Sequence, residues 1–184
     1  MTRRTEKATE SYEGQDWHAV VEMDEEKRSA TRKMSERKKV LAVASGGGHW
    51  VQLRRVVPAL EAHEVVYVTI NPTYCSDVPE ARVHIVNDAT QWDRLGLIQL
   101  AFRILWILLR ERPQVVLSTG AAPGCLAIVL GRLMGCRTIW LDSIANVENM
   151  SMSGRLVRRF SQLWLTQWPH LAKADGPECA GRVF

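Results

Sequence analysis

From Lys39 onward, short runs of apolar and β-branched residues alternate with longer stretches of helical periodicity. The runs predict six strands, at 40–44, 65–70, 83–86, 115–118, 138–141 and 163–166. The stretches between them predict helices at about 49–62, 93–111, 124–134 and 153–161. Near-continuous apolar strands separated by helices are typical of a parallel sheet covered on both faces. The pattern therefore predicts an α/β, Rossmann-like domain whose ligand site lies at the carboxyl ends of the strands.

The charged residues are concentrated in front of this domain. Lys, Arg, Asp and Glu occupy 19 of the first 39 positions, where large apolar side chains are few. We therefore expect two regions, a charged, disordered extension over 1–38 and the Rossmann-like domain over 39–184. Two interpretations of the extension stay open: either Met34 is the true start of translation, or the preceding residues form a functional tail. Residues 1–30 also lack the apolar stretch of a signal peptide.

Several common classes of site are excluded because their motifs are missing. The dinucleotide fingerprint needs a glycine at position 51, which is Val51 in this chain. The sequence also lacks the Gly-Lys-Ser/Thr of a P-loop, the Gly-x-Ser-x-Gly of an α/β-hydrolase and the Asp-x-Asp of metal-dependent sugar transfer. The net charge of +4 is too small and too scattered for nucleic-acid binding. We therefore expect no metal, no other cofactor and no nucleic-acid partner.

Three turns rich in glycine or polar residues follow the first, fourth and fifth predicted strands. They are Ser-Gly-Gly-Gly-His at 45–49, Ser-Thr-Gly-Ala-Ala-Pro-Gly at 118–124 and Leu-Asp-Ser-Ile-Ala-Asn-Val-Glu-Asn at 141–149. Glycines let the backbone approach a ligand closely, and a helix that begins after such a loop offers free N–H groups to a phosphate or a developing anion. Because the three turns meet at one edge of a parallel sheet, we expect them to form a single cleft.

The predicted helix at 93–111 is unusually apolar. From Leu95 to Leu109, a run of 15 residues, only one glycine, one glutamine and one arginine interrupt the apolar side chains. This run is shorter than the roughly 20 residues that a membrane-spanning helix needs. Two interpretations stay open: burial between the sheet and neighbouring elements, or insertion of one face into the membrane interface, with Trp106 and arginine side chains at head-group level.

Five motifs, in order along the domain, resemble the PssD family of bacterial polysaccharide-biosynthesis proteins. They are Ala-Ser-Gly-Gly-Gly-His at 44–49, Ser-Thr-Gly-Ala-Ala-Pro-Gly at 118–124, Trp-Leu-Asp-Ser-Ile-Ala-Asn at 140–146, Ser-Gly-Arg-Leu at 153–156 and Thr-Gln-Trp-Pro-His-Leu at 166–171. That family is homologous to the membrane-anchoring subunit of the split UDP-GlcNAc transferase of dolichol-linked oligosaccharide synthesis. More distantly, the chain is similar to the N-terminal half of MurG-type GT-B glycosyltransferases.

The resemblance implies that this chain is the acceptor-side half of a two-subunit, inverting glycosyltransferase. A PssE-like partner subunit would bind the donor, a UDP-sugar (UDP-GlcNAc or UDP-glucuronate), and the acceptor would be a saccharide linked to polyprenyl diphosphate. It also implies attachment to the membrane surface at the cytoplasmic face of the plasma (inner) membrane. Two other functions stay open: a non-catalytic recruiter and activator of the donor-binding subunit, and a free-standing nucleotide-binding module.

Roles follow for individual residues. His49 opens the helix after the first glycine loop, where its imidazole can accept the proton of an acceptor hydroxyl, and Asp142 is the alternative base. The residues expected to contact the acceptor or its phosphates are Ser45, Gly46, Gly47, Gly48, Thr119, Gly120, Asn146, Glu148 and Arg155. Arg155, Arg158 and Arg159 are spaced to share one helix face. Each role has a structural alternative. In these alternatives His49 caps its helix, the glycines only form tight turns, the polar third turn caps neighbouring helices, and the arginines form a solvated basic face.

Overall fold

A computed structural model describes residues 37–90 and 92–183. Most of the predicted extension over 1–38 lies outside these residues, so its disorder stays a prediction. The described residues form a six-stranded parallel sheet in the order β3-β2-β1-β4-β5-β6. Its strands are β1 (Lys39–Val43), β2 (Glu64–Thr69), β3 (Arg82–Ile85), β4 (Val115–Ser118), β5 (Arg137–Leu141) and β6 (Leu163–Leu165). The prediction of a Rossmann-like α/β fold is confirmed, and each predicted strand lies within one residue of its observed bounds.

Four α-helices connect the described strands. They are α1 (Gly48–Val56), α2 (Arg94–Glu111), α3 (Ala121–Leu133) and α4 (Met152–Leu156). Short 3-10 helices cover Val57–Leu60, Pro72–Asp77, Arg158–Phe160 and Pro169–Leu171. The strand order reverses between β1 and β4, where Val43 pairs with Ser118. The loops that follow these two strands are therefore neighbours at the carboxyl edge of the sheet, where such folds bind ligands.

Two hydrophobic clusters pack against the sheet, one on each face. Alternate residues of β1 divide between them, because successive side chains of a strand point to opposite faces. The cluster on the α2 and α3 side includes Leu41, Val43, Leu100, Ile104 and Ile128. The cluster on the α1 side includes Val40, Ala42, Trp50, Leu53 and Leu117. The sheet is thus covered on both faces, as its near-continuous apolar strands predict.

The helix predicted at 153–161 is wrong in its second half. The α-helix ends at Leu156, and the chain continues as a 3-10 helix in which Phe160 N donates to Val157 O at 2.9 Å. Serine and glycine at 153 and 154 are weak helix formers, so little sustains a longer α-helix here. The α-helix ends before the second and third arginines, so Arg155, Arg158 and Arg159 do not share one α-helical face, although Arg155 and Arg158 line the same cavity beside β6.

Helix α3 begins at Ala121, three residues before the predicted start at 124. Gly120 precedes it with φ of 143°, a conformation that favours glycine, and Ala121 itself has φ of 64°. Pro123 lies in the first turn, where the backbone N–H that proline lacks would have no partner within the helix. Pro123 is therefore compatible with a helix that begins at Ala121.

Helix α2 has one covered face and one bare face. Leu100, Ile104, Ile107 and Leu108 are fully buried against the sheet. The opposite face exposes apolar side chains, with Leu95 at 74 % and Phe102 at 69 % of their full accessible surface. Burial therefore accounts for the apolar residues on the inner face of α2 but not for those on its outer face. Among residues 37–90 and 92–183, no helix combines the length and the hydropathy needed to cross a membrane.

Candidate functional site

The first glycine loop joins β1 to α1 and presents an open helix N-terminus. Gly47, at the N-cap, has φ of 55°, which a side chain would strain, and no side chain caps the helix. Gly48 opens the helix, and its first turn contains no acidic residue. The amides of this first turn have no acceptor within the helix, and the helix dipole adds partial positive charge there. The loop thus provides the anion-binding geometry that its glycines predict.

A 3-10 helix over Pro72–Asp77, absent from the sequence-based prediction, supports this loop. Gly47 N donates to the hydroxyl of Tyr74 at 2.9 Å. The ring of Tyr74 stacks on Trp50, with 4.9 Å between centroids. Trp50 Nε1 donates in turn to Asp77 Oδ2 at 2.8 Å. The sequence carried a usable signal, since Asn71 followed by proline is typical of the start of a helical turn.

His49 links the first glycine loop to the second. Its Nδ1 lies 2.7 Å from the carbonyl oxygen of Thr119, and the Thr119 hydroxyl donates to the His49 carbonyl, also at 2.7 Å. The imidazole packs directly on Gly120, where an added Cβ would lie only 2.3 Å from the ring. The two loops are thus locked together by a reciprocal pair of hydrogen bonds, and the second loop needs glycine beside the ring.

This contact also selects the tautomer of the neutral His49 ring. A carbonyl oxygen only accepts hydrogen bonds, so Nδ1 carries the proton and donates to Thr119. In the neutral ring, Nε2 then holds the free lone pair. The side chain is half-buried at the loop junction. An orienting acceptor behind an imidazole whose other nitrogen is free is the arrangement that general-base catalysis requires.

Asp142 lies at the end of β5 and organises the third turn. Its Oδ2 accepts from Ser151 N at 2.7 Å and from Asn146 Nδ2 at 3.4 Å. Its Oδ1 accepts from the Ser151 hydroxyl at 2.5 Å and from Trp140 Nε1 at 3.2 Å. Four donors occupy this buried carboxylate, so its contacts favour a positioning role. The assignment of Asp142 as the alternative catalytic base stays a prediction.

The remaining predicted site residues lie in different parts of the fold. Ser45 is buried, and its carbonyl accepts from the Thr69 hydroxyl at 2.5 Å. Asn146 is half-buried in the third turn, whereas Glu148 is exposed there. Arg155 is exposed on α4 and lines a cavity beside β6, together with Trp164 and Pro177, rather than joining the glycine loops. Their contacts with an acceptor stay predictions.

A chain of buried side-chain amides connects α1 to the third turn. Gln52 Nε2 donates to the Ser143 hydroxyl at 3.3 Å, and Gln167 Nε2 donates to Gln52 Oε1 at 3.2 Å. Gln167 Nε2 also donates to the Asp142 carbonyl at 2.9 Å. The sequence analysis missed Gln52. The only sign of its role in the sequence is that a polar residue stands next to Leu53, on the buried side of α1. These hydrogen bonds hold α1, which carries His49, in a fixed position relative to the Asp142 turn.

In the structure the two glycine loops are in direct contact. The hydrogen bonds of Gln52 and Gln167 connect the Asp142 turn to them. Within the described residues, no three His, Cys, Asp or Glu side chains cluster as a metal site would require. The prediction that the three turns belong to one edge of the sheet is consistent with the parallel strand order. Their use as one acceptor site stays a prediction.

A model of the family described as "Oligosaccharide biosynthesis protein Alg14 like" matches residues 73–182. The chain belongs to the Alg14 family. The resemblance to the membrane-anchoring subunit of the UDP-GlcNAc transferase is thereby confirmed. The matched range includes the second glycine loop and the Asp142 turn but begins after His49. The assignment of His49 therefore depends on its own geometry rather than on the Alg14 family model.

Curated relatives carry the same family name. The chain is 25 % identical over 168 residues to the mouse "UDP-N-acetylglucosamine transferase subunit ALG14", covering 72 % of this chain and 76 % of the relative. It is 26 % identical over 167 residues to the human subunit, with the same coverage. The Schizosaccharomyces pombe subunit is 32 % identical over 88 residues, which cover 44 % of this chain and 39 % of that relative.

Solved structures that share the fold are larger than this Alg14-family chain. Acinetobacter baumannii MurG superposes with a TM-score of 0.65 at 13 % identity, covering 77 % of this chain and 45 % of MurG. The UDP-GlcNAc 2-epimerase of Methanocaldococcus jannaschii superposes with a TM-score of 0.53 at 13 % identity, covering 71 % of this chain and 39 % of the epimerase. At such identities the likeness establishes the fold alone. The chain spans less than half the length of either enzyme.

Proposed function

We propose that this chain is the acceptor-binding, membrane-attached subunit of a two-subunit glycosyltransferase. It would act with a PssE-like donor-binding subunit to move a sugar from a UDP-sugar to a saccharide linked to polyprenyl diphosphate. The Alg14 family supports this proposal, since its curated members are named as subunits of a UDP-N-acetylglucosamine transferase. The same names favour UDP-GlcNAc over UDP-glucuronate as the donor. The word subunit in those names supports a division of the enzyme between two chains.

The observation that carries the catalytic part of the proposal is the hydrogen bond from His49 Nδ1 to the Thr119 carbonyl. It leaves Nε2 as a proton acceptor at the junction of two loops. In the proposed reaction, Nε2 takes the proton of the acceptor hydroxyl while that oxygen attacks the anomeric carbon of the donor. The new C–O bond forms as the bond from the anomeric carbon to the UDP oxygen breaks, which inverts the configuration. The partner would stabilise the departing UDP.

The two helix N-termini beside His49 would hold the negative charge of the acceptor. Neither α1 nor α3 has a side-chain cap, and neither has an acidic residue in its first turn. Their open amides and partial positive charges suit a diphosphate. We propose that this binding proceeds without a metal, because the sequence lacks the Asp-x-Asp motif of metal-dependent sugar transfer.

The bare face of α2 would provide the membrane contact. Its exposed apolar residues are Leu95, Ile98, Phe102, Trp106 and Leu109. The guanidinium carbons of Arg103 and Arg110 lie 4.7 and 5.3 Å from the centre of the Trp106 ring. An apolar stripe with a tryptophan beside arginines is typical of a helix that lies in the interface of an anionic membrane. The proposed contact is with the cytoplasmic face of the membrane.

The catalytic proposal is tested with His49→Asn and His49→Ala in the reconstituted pair of subunits. The asparagine variant retains an N–H donor for the Thr119 carbonyl but removes Nε2, so it separates proton transfer from loop structure. We expect both variants to lower kcat about a hundredfold or more, with the KM for the UDP-sugar unchanged.

The matched control for this experiment is His63→Ala, since His63 lies at the amino end of β2, at the edge of the sheet opposite the glycine loops. We expect this variant to retain wild-type turnover. Turnover of His49→Asn within threefold of wild type would contradict the base assignment and favour the non-catalytic recruiter.

A further inference from the structure

Three consecutive glycines, Gly46, Gly47 and Gly48, separate β1 from His49, the proposed base. Glycine loses more conformational freedom on ordering than any other residue, so such a loop is costly to hold in one conformation. Packing adds little restraint at its exposed side, because an added Cβ at Gly47 or Gly48 would meet no atom within 4 Å. The order of this loop therefore depends on the hydrogen bonds made to it.

Hydrogen bonds hold the loop at both ends and at its centre. Before the glycines, the carbonyl oxygen of Ser45 accepts from the last residue of β2 at 2.5 Å. After them, His49 and Thr119 form their reciprocal pair of bonds. Between these two anchors, Gly47 N donates to the hydroxyl of Tyr74 at 2.9 Å. One side-chain oxygen thus holds the middle glycine of the loop.

Tyr74 is half-buried and is itself held in place by α1 and by the 3-10 helix over Pro72–Asp77. Its ring stacks on Trp50, with 4.9 Å between centroids and 9° between the planes. Trp50 is 1 % exposed, and its Nε1 donates to Asp77 Oδ2 at 2.8 Å, which joins α1 to the 3-10 helix. The tyrosine hydroxyl therefore has a fixed position relative to α1.

We propose that Tyr74 is a positioning residue, which acts through Gly47 to hold the first glycine loop in the conformation that binds the acceptor. This inference rests on the proposed function, in which the amides at the start of α1 contact the acceptor. A loop that is ordered in advance loses little freedom on binding, so the affinity for the acceptor is higher. The hydroxyl acts on acceptor binding rather than on proton transfer, since His49 has its own anchor at Thr119.

Tyr74→Phe tests this inference, because it deletes the oxygen that accepts from Gly47 and leaves a ring that still stacks on Trp50. NMR relaxation of the full chain measures the order of the loop directly. We expect the backbone order parameters of Gly46, Gly47 and Gly48 to fall in the variant, and those of the rest of α1 to stay unchanged. Equal order parameters of the three glycines in variant and wild type would overturn the inference.

Kinetics of the reconstituted pair of subunits separate positioning from a merely structural role. We expect the KM for the polyprenyl-diphosphate-linked acceptor to rise about three- to tenfold in Tyr74→Phe, the effect of one neutral hydrogen bond. The kcat and the KM for the UDP-sugar should stay within about twofold of wild type, because Tyr74 takes no part in proton transfer or donor binding. A lower kcat with both KM values unchanged would indicate loss of folded enzyme and would overturn the positioning role.

Tyr67→Phe is the matched control. Tyr67 contacts the same Trp50 ring, with 5.6 Å between centroids, but its hydroxyl lies near Arg54 instead of the glycine loop. This variant should retain the loop order and the acceptor KM of the wild type. A rise in its acceptor KM as large as that of Tyr74→Phe would overturn the role of the hydroxyl on Gly47. An inactive wild-type pair would contradict the proposed function, whereas the NMR comparison decides independently whether Tyr74 orders the loop.

Discussion

Glu111, the last residue of α2, lies at the amino edge of the sheet, away from the glycine loops, and is almost fully shielded from water. Its side chain is 1 % exposed, and its carboxylate contacts the guanidinium of Arg82, Lys39 Nζ at 3.5 Å and His84 Nε2 at 2.9 Å. Burial alone would raise the pKa of Glu111, but the hydrogen bond from His84 and the charge of Arg82 outweigh it and lower the pKa below 4.5. This cluster ties α2 to β1 and β3.

We expect Glu111→Gln to lower the free energy of unfolding at pH 7 by about 1–3 kcal/mol, the typical loss for a buried charged hydrogen bond. A carboxylate whose pKa is lower in the folded state stabilises the fold above its unfolded pKa and loses that contribution as the pH falls. The difference between wild type and variant should therefore be constant above pH 4.5 and shrink below it. Urea unfolding across this pH range measures the difference.

The neighbouring Glu64→Gln provides the control for Glu111. Glu64 pairs with Lys39 at 3.3 Å and with Arg82 at 3.8 Å, but its side chain is 42 % exposed. Exposed ion pairs contribute about 0–1 kcal/mol, so this variant should lie near wild type. A Glu64→Gln loss as large as that of Glu111→Gln would show that the cluster acts through surface charge rather than through the buried carboxylate.

At the residue scale, the sequence identified side chains but not their partners. The pattern predicted that His49 follows a glycine loop, yet the contact with the Thr119 carbonyl joins residues 70 positions apart. Only the adjacency of β1 and β4 brings them together. Gln52 was missed for a similar reason, because its partners, Ser143 and Gln167, lie in the segments that follow β5 and β6, far away along the sequence.

At the scale of elements, α2 combines two kinds of surface in one helix. Its inner face packs against the sheet, and its outer face would lie in the membrane interface. We expect the double variant Ile98→Ser, Phe102→Ser to lose at least tenfold in binding to vesicles that contain anionic lipid, since both side chains are exposed and would leave the apolar phase. Flotation of the protein with vesicles measures the bound fraction.

The control for the α2 variant is Val51→Ser, which removes a 49 % exposed apolar residue from α1, on the other face of the sheet. It should float with vesicles as the wild type does. Substitutions at these exposed positions leave the core unchanged, so the variants should share the wild-type unfolding temperature. Equal flotation of the wild type and the α2 variant would contradict the membrane role of this helix.

Strands were predicted more accurately than helix ends. A buried strand such as β1 is recognisable by its run of apolar residues from Val40 to Val43, and packing on both faces enforces that pattern. The end of α4 at Leu156 depends on a local change to 3-10 hydrogen bonds, which side-chain periodicity does not encode. The Pro72–Asp77 helix was not predicted because it lies outside the apolar pattern and is held by contacts with the distant residues Gly47 and Trp50.

At the scale of the whole molecule, one sheet presents its glycine loops at one edge, with nothing in the described residues facing them as a second sheet. Acinetobacter baumannii MurG, which shares the fold, is matched over 45 % of its own length. The proposed base and the acceptor-binding amides lie on this chain, whereas the proposed donor site lies on a partner. Under the proposed function, catalysis would require both chains at once.

We therefore expect the purified chain alone to have no measurable transferase activity with any UDP-sugar and to bind UDP-GlcNAc weakly. Adding the PssE-like subunit at increasing concentration should restore transfer to a polyprenyl-diphosphate-linked acceptor along a saturation curve. The midpoint of that curve should equal the dissociation constant of the pair measured separately by calorimetry, because only the assembled pair contains both half-sites. Transfer by this chain alone, at a rate independent of the partner, would mean that the donor site is complete within it and that the division of labour is wrong.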